Sequence, residues 1–193
     1  MTPSWRARLA EHPLRAAQLV LGSTLVAGGV RARIVEVEAY GSPEGGPWPD
    51  PAAHTYPGPT PRNEVMFGPP GHLYVYLSYG IHLCINVTAG PDGTGSGVLM
   101  RAAEIVDGVD LVRERRGVRD PDARLAAGPG RLGQAMGITL ADKGTDLLEP
   151  ASAIRLEVAA RRGPVASGPR IGISKGVESP WRLWLAGHPS VSR

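Results

Sequence analysis

The chain has 193 residues, which favours one domain over residues 1–193 and is long enough to bury a core without staples. Its formal net charge of +3 is compatible with a polyanionic partner without demanding one, and 19 of its 21 basic residues are arginine, leaving only Lys143 and Lys175. A single cysteine, Cys84, excludes a disulfide framework and a cysteine-based zinc site.

From the start of the chain, residues 1–14 carry Arg6, Arg8, Glu11 and Pro13 without a long apolar stretch, so they do not read as a signal peptide. No run of about 18 apolar residues occurs anywhere, and a cytosolic location is expected. Pro13 is placed to open a helix. Leu14, Ala17, Gln18 and Leu21 follow at helical spacing, and Gly22 is a stop. Residues 23–27 read as a short strand, Gly28-Gly29 as a turn, and residues 30–40 as the next strand. Residues 41–71 are rich in proline and glycine and read as a long functional loop. Strands at 73–77 and 81–88 are joined by a tight turn at Ser78-Tyr79-Gly80, where glycine supplies unusual backbone angles. A turn at 90–97, a strand at 98–104 and a helix at 109–116 come next. Gly128-Pro129-Gly130 breaks the chain before a short helix at 131–136, and further strands are predicted at 154–158, 171–173 and 181–185. The predicted fold is α+β: one mostly antiparallel, curved sheet with a protruding β-hairpin and peripheral helices.

Arg33-Ile34-Val35-Glu36-Val37-Glu38-Ala39-Tyr40 is the most informative stretch. Alternation along a strand puts Glu36, Glu38 and Tyr40 on one face and Val35, Val37 and Ala39 on the other. Glu38 is a candidate general base, or a carboxylate merely paired with Arg31 or Arg33. With Glu36, at roughly 7 Å between Cα atoms, it could instead form a glycosidase-type carboxylate pair. Tyr74 and Tyr76 share a strand face, as packing aromatics often do. Tyr79, beside glycine at a hairpin tip, is poorly placed for a core and well placed as a wedge between bases, as in proteins that distort a duplex. His54 sits alone in the long loop, and none of the five histidines has helical zinc spacing. No metal or cofactor is expected. Gly128-Pro129-Gly130-Arg131 reads as a structural turn or as a backbone nest for a phosphate.

Taken together and in order, RIVEVEAY (33–40), DPAAH (50–54), TPRN (60–63), MF (66–67), PGHLYVYLSYGIHLCIN (70–86), VLMRAAE (98–104), GPGRLGQ (128–134) and PRIGI (169–173) resemble the alkyladenine type of 3-methyladenine DNA glycosylase, a family distinct from the helix-hairpin-helix glycosylases. The resemblance runs from about residue 13 to the end. It implies a bacterial base-excision enzyme that extrudes a damaged purine from double-stranded DNA and hydrolyses its N-glycosidic bond. By resemblance, Glu38 deprotonates the attacking water and Arg101 helps to hold that water. Tyr40, His54 and Tyr76 enclose the flipped base, Asn86 rejects guanine, Tyr79 fills the vacated stack, and Arg62 and Arg131 face phosphates. No role beyond structure is carried over for Glu36. The loop at 41–49 is richer in proline and glycine than the family pattern, which leaves its conformation and Trp48 open.

Strand cleavage at the abasic product needs an amine for a Schiff base. Neither lysine lies in the hairpin or acid segments, so a monofunctional enzyme is expected, and, because scanning DNA needs no partner subunit, a monomer. The rivals are a non-catalytic lesion-binding sensor and a carboxylate-pair glycosidase acting on sugars.

Overall fold

The computed structural model describes residues 4–158 and 163–192. The strands are β1 (Thr24–Ala27), β2 (Val30–Tyr40), β3 (Leu73–Ser78), β4 (His82–Ala89), β5 (Ser96–Asp107), β6 (Arg155–Glu157), β7 (Val165–Gly168) and β8 (Arg182–Leu185). They form one sheet in the order β3-β4-β5-β2-β1-β6, with β8 joining β2 to β7, and every pairing of these strands is antiparallel. The helices α1 (Trp5–Leu9), α2 (Pro13–Val20), α3 (Val109–Arg116) and α4 (Pro129–Met136) surround it, with α2 and α4 packed on the sheet. The expected α+β architecture is what the chain adopts.

The central strand β2 changes phase along its length. Val30, Ala32 and Ile34 are buried in the core, and so are Val35, Val37 and Ala39. Two apolar sets one residue out of step cannot share a face of a regular strand. The register accommodates this. Ile34 faces Ala103 and Glu36 faces Ala102, so Val35 is an extra residue on β2. Val37 then faces Met100, so Arg101 is an extra residue on β5 and the original register returns. Such bulges bend the strand and re-aim side chains. Here β2 bends enough to change neighbours on one edge: Arg33 and the residues before it pair with β1, whereas Glu36, Val37 and Glu38 pair with β8.

The predicted element limits need four corrections. Residues 171–173 are irregular, bending at 171 and 172, rather than a strand, and the Ile171 N–H bonds a side chain instead of a neighbouring strand. Helix α4 starts at Pro129, not residue 131, since proline's fixed φ and missing N–H suit the first helical position. α1 was not anticipated, although Ser4 caps it by accepting from the Ala7 N–H. β7 was also not anticipated; four half-exposed to exposed residues give it no apolar pattern.

Helix α4 approaches β4 closely enough that a Cβ on Gly133 would lie 2.2 Å from the Leu83 carbonyl oxygen, a backbone atom that cannot move alone. Gly133→Ala is expected to cost about 1–3 kcal/mol, the range for overpacking, read as a lower urea midpoint at unchanged slope.

Candidate active site

One row of residues crosses the sheet. Tyr74 on β3 pairs with Asn86 on β4, Asn86 with Leu99 on β5, Leu99 with Glu38 on β2, and Glu38 with Arg182 on β8. Residues paired across strands project from the same face, so this row gathers side chains from five strands. Over it opens a cavity of about 500 Å³, in the range of small-ligand sites. Tyr40, His54, Tyr74, Tyr76, Asn86, Leu99 and Arg101 line it, with Ile171, Gly172 and Ile173 from the loop after β7. The hairpin residues Leu77, Ser78 and Tyr79 and the helix residue Pro129 stand at its rim.

Glu38 is fully buried and does not itself line the cavity; three neighbours that do line it hold its carboxylate. The Tyr40 hydroxyl donates to Oε2 at 2.9 Å, the Ile171 N–H donates to Oε1 at 2.7 Å, and the Arg101 guanidinium lies 3.2 Å from Oε1. Burial, and next the charge on Glu38, push the Tyr40 hydroxyl well above the ordinary tyrosine range, so it stays protonated as a donor. Glu36 shares this face and is also fully buried. It accepts from Arg101 Nε at 3.1 Å, Arg182 Nε at 2.6 Å, and the Ser192 N–H and hydroxyl at 2.6 and 2.9 Å. The two carboxylates therefore differ. Glu36 is saturated by structural donors. Glu38 accepts two hydrogen bonds and faces Arg101 as an ion pair, which leaves part of its acceptor capacity unused. Neither pairs with Arg31, which bonds Glu157 instead.

The ring wall is built by β3 and the long loop. Tyr74 and Tyr76 stack at 5.6 Å with 25° between planes, and His54 meets Tyr76 edge-on at 4.5 Å. His54 Nδ1 lies 3.2 Å from the Tyr74 hydroxyl. Burial, then the charge of Arg62, hold His54 below its ordinary value, so the imidazole is neutral at neutral pH. Arg62 is exposed and stands 5.5 Å over the Tyr76 ring. Asn63 fixes this loop by donating to the His54 and Gly58 carbonyls and accepting from the Thr60 N–H. Asn86 Nδ2 donates to the Tyr74 carbonyl at 3.3 Å. Arg131 is exposed on α4 and does not line the cavity.

Tyr79 is 89% exposed at the hairpin tip, with φ of 49°; no other non-glycine described residue has a positive φ. Gly80 follows at φ 70°, and the Ile81 N–H closes the turn onto the Ser78 carbonyl at 3.0 Å. A bulky residue held there costs about 1–2 kcal/mol relative to an ordinary backbone conformation.

Arg170 and Asp50, 120 positions apart, lock the long loop to the loop after β7. Arg170 donates to both Asp50 oxygens at 2.5 and 2.9 Å and to the Ala39 carbonyl at 3.0 Å, and its guanidinium stacks 4.7 Å from the Tyr40 ring. This fixes the residue before Ile171, the donor to Glu38, and no local sequence signal announces it. Trp48 packs edge-on against His12, and Ser42 bridges to Pro49, so the 41–49 segment is a closed loop braced by α2's cap. Cys84, Leu99 and Met66, which lie within the sequence motifs but were assigned no role, also line the cavity. Among the described residues no three His, Cys, Asp or Glu side chains gather as a metal site, and no helix is long and apolar enough to cross a membrane.

These features define an α+β enzyme with a ring-lined cavity above a buried acid–arginine cluster. Residues 7–189 match the family model "Methylpurine-DNA glycosylase (MPG)". A protein of Rhodococcus jostii is 58% identical over 94% of this chain and 81% of its own length. Relatives from Nocardia farcinica and Mycobacterium tuberculosis are 56% and 54% identical, each covering 95% of this chain and 88% and 90% of their own lengths. All three bear names that assign them provisionally as 3-methyladenine DNA glycosylases. The chain belongs to the methylpurine-DNA glycosylase family, and so is a DNA glycosylase of base-excision repair.

Burial pushes the Asp50 carboxyl up, but hydrogen bonds from Arg170 and from the Gly41 and Ala52 N–H groups outweigh it and hold it below the ordinary aspartate range. A depressed carboxyl stabilises the fold above its unfolded value, near 4, and that contribution is lost as pH falls below it. Asp50→Asn should therefore cost about 3 kcal/mol at neutral pH, with the gap to wild type closing below pH 4 in acid-titrated urea melts. A gap independent of pH would contradict this.

Proposed function

We propose that the chain is a monofunctional, monomeric glycosylase of the bacterial cytoplasm that flips a damaged purine out of double-stranded DNA and hydrolyses its N-glycosidic bond with water activated by Glu38. The observation that carries this reading is the difference between the two acids: Glu36 is saturated, whereas Glu38 keeps acceptor capacity beside three cavity-lining groups.

Binding begins with phosphates, through Arg62 and Arg131, and is therefore sequence-independent and weakened by salt. Tyr79 enters the stack as the target nucleotide rotates out, at an unstacking cost of a few kcal/mol that is smaller for a damaged or mispaired base. Contact with Tyr40, Tyr76 and neutral His54 offsets this by about 1–3 kcal/mol per stacked ring. Asn86, at the cavity wall, tests the purine edge and disfavours normal guanine through its exocyclic amine. A cationic base such as 3-methyladenine or 7-methylguanine leaves readily; hypoxanthine and ethenoadenine need hydrogen bonding or protonation on departure.

Glu38 then has two tasks. Its negative charge stabilises the oxocarbenium-like sugar, and it accepts a proton from the water attacking C1′. Tyr40, Arg101 and the Ile171 N–H hold the carboxylate in place and aim it. Lys175 stands two residues beyond cavity-lining Ile173, so borohydride trapping is the direct check on the monofunctional reading: no enzyme–DNA adduct is expected.

The sensor reading draws on one observation, the complete burial of Glu38. One experiment separates the two. Base release is measured from duplexes carrying hypoxanthine or ethenoadenine and from methylated DNA, for wild type, Glu38→Gln and Tyr79→Ala. The expected result is release by wild type, loss of at least about 100-fold in Glu38→Gln with lesion binding kept, and impaired flipping in Tyr79→Ala. Lesion binding with no release from any substrate would establish the sensor.

A further inference from the structure

We propose that Ser192 and Arg182 are positioning residues that clamp the Arg101 guanidinium against Glu38; the inference rests on the role just assigned to Glu38. Arg101 is 93% buried and forms contacts on three sides of its guanidinium. Nε donates to Glu36 at 3.1 Å, Nη2 donates to the Ser192 hydroxyl at 3.4 Å, and Nη1 is left for Glu38 at 3.2 Å. Fixing two edges of a planar fork fixes the third.

Ser192 is the joint of this arrangement. Its N–H and hydroxyl both donate to Glu36, its hydroxyl accepts from Arg101, and its carbonyl accepts from Arg182 Nη2 at 3.1 Å. Arg182 adds a second cation to Glu36 at 2.6 Å and stacks 4.7 Å from the Trp184 ring. Two buried carboxylates thus meet two guanidinium groups, and the charges balance. Without Arg182 one negative charge would be unmatched, and Arg101 would be drawn toward Glu36. Without Ser192 the Nη2 edge would be free, and the guanidinium could turn about its own axis. In both cases Glu38 keeps its place on β2 but loses a fixed cation. The effect falls on the chemical step, because neither Ser192 nor Arg182 lines the cavity that would receive the base.

The test uses the whole chain and three variants, Ser192→Ala, Ser192→Thr and Arg182→Lys. Single-turnover base release is read beside affinity for a duplex carrying a stable abasic analogue. Ser192→Ala should slow release by about tenfold or more, the worth of one hydrogen bond to a charged group, with affinity unchanged within about twofold. Ser192→Thr, which keeps both donors, should restore release, and Arg182→Lys, which keeps only the charge, should fall between. A second readout does not depend on turnover: hydrogen exchange at Arg101 Nε, followed by nitrogen-15 NMR, should be slow in wild type and fast in Ser192→Ala. Wild-type release and unchanged exchange in Ser192→Ala would overturn the clamp, as would rate and affinity falling together. Absence of release by wild type, with the exchange difference still present, would overturn the role of Glu38 and leave the clamp standing.

Discussion

Two carboxylates buried side by side on one strand are the constraint around which this molecule is arranged. Each would cost several kcal/mol unpaired, and they also repel one another. Arg101 resolves both problems by lying between them, with one nitrogen on Glu36 and another on Glu38. It can do so because it is a bulge residue, opposed by no single partner and free to point across β2 rather than along its own strand. The matching bulge at Val35 carries the core face of β2 from one apolar set to the next and turns Glu36 and Glu38 away from that core.

The rest of the site depends on that pair of irregularities. Bending β2 gives its second half a new neighbour, β8, which brings Arg182 beside the acids. The loop before β8 returns over the sheet and supplies the Ile171 N–H, and Arg170 anchors that loop to Asp50. Asp50 in turn holds Gly41 and Ala52, which set the first part of the long loop, where His54 faces Tyr76. The acid sits on rigid sheet. The wedge candidate sits on a two-stranded hairpin whose tip holds a tyrosine in a strained conformation.

Most of the fold could be read from the chain because its periodicities are local. The apolar alternation of β2, the hairpin glycine and the proline opening α2 each act within a few residues. The bulge was not anticipated from the sequence. The phase change from Val30, Ala32 and Ile34 to Val35, Val37 and Ala39 is in the sequence, but alternation read from Val35 onward does not reveal it, and an apolar run of this kind also suits a strand buried on both faces. The site residues came from an ordered set of motifs, and the structure brings Glu38, Arg101, Tyr40, His54, Tyr76 and Asn86 around one cavity. What could not be read was long-range pairing. Asp50 and Arg170 lie 120 positions apart, and Glu36 and Ser192 lie 156 apart. Such contacts follow from topology, not from any pattern in the neighbouring residues. Residues 171–173 were misread as a strand for the same reason: an apolar triplet looks alike whether it pairs with a strand or lends one N–H to a distant carboxylate.

The central claim is that one guanidinium spanning two acids keeps Glu38 competent. Its most direct test is single-turnover base release by Arg101→Lys, with lesion-DNA affinity and thermal stability measured on the same preparation. Lysine keeps the charge but lacks the fork needed to reach both carboxylates at once. The expected result is a folded protein that still binds lesion DNA and releases base at least about tenfold more slowly, the worth of one charged hydrogen bond. Release at the wild-type rate would contradict it, since a charge alone would then suffice and the bulge geometry would be irrelevant to the chemistry.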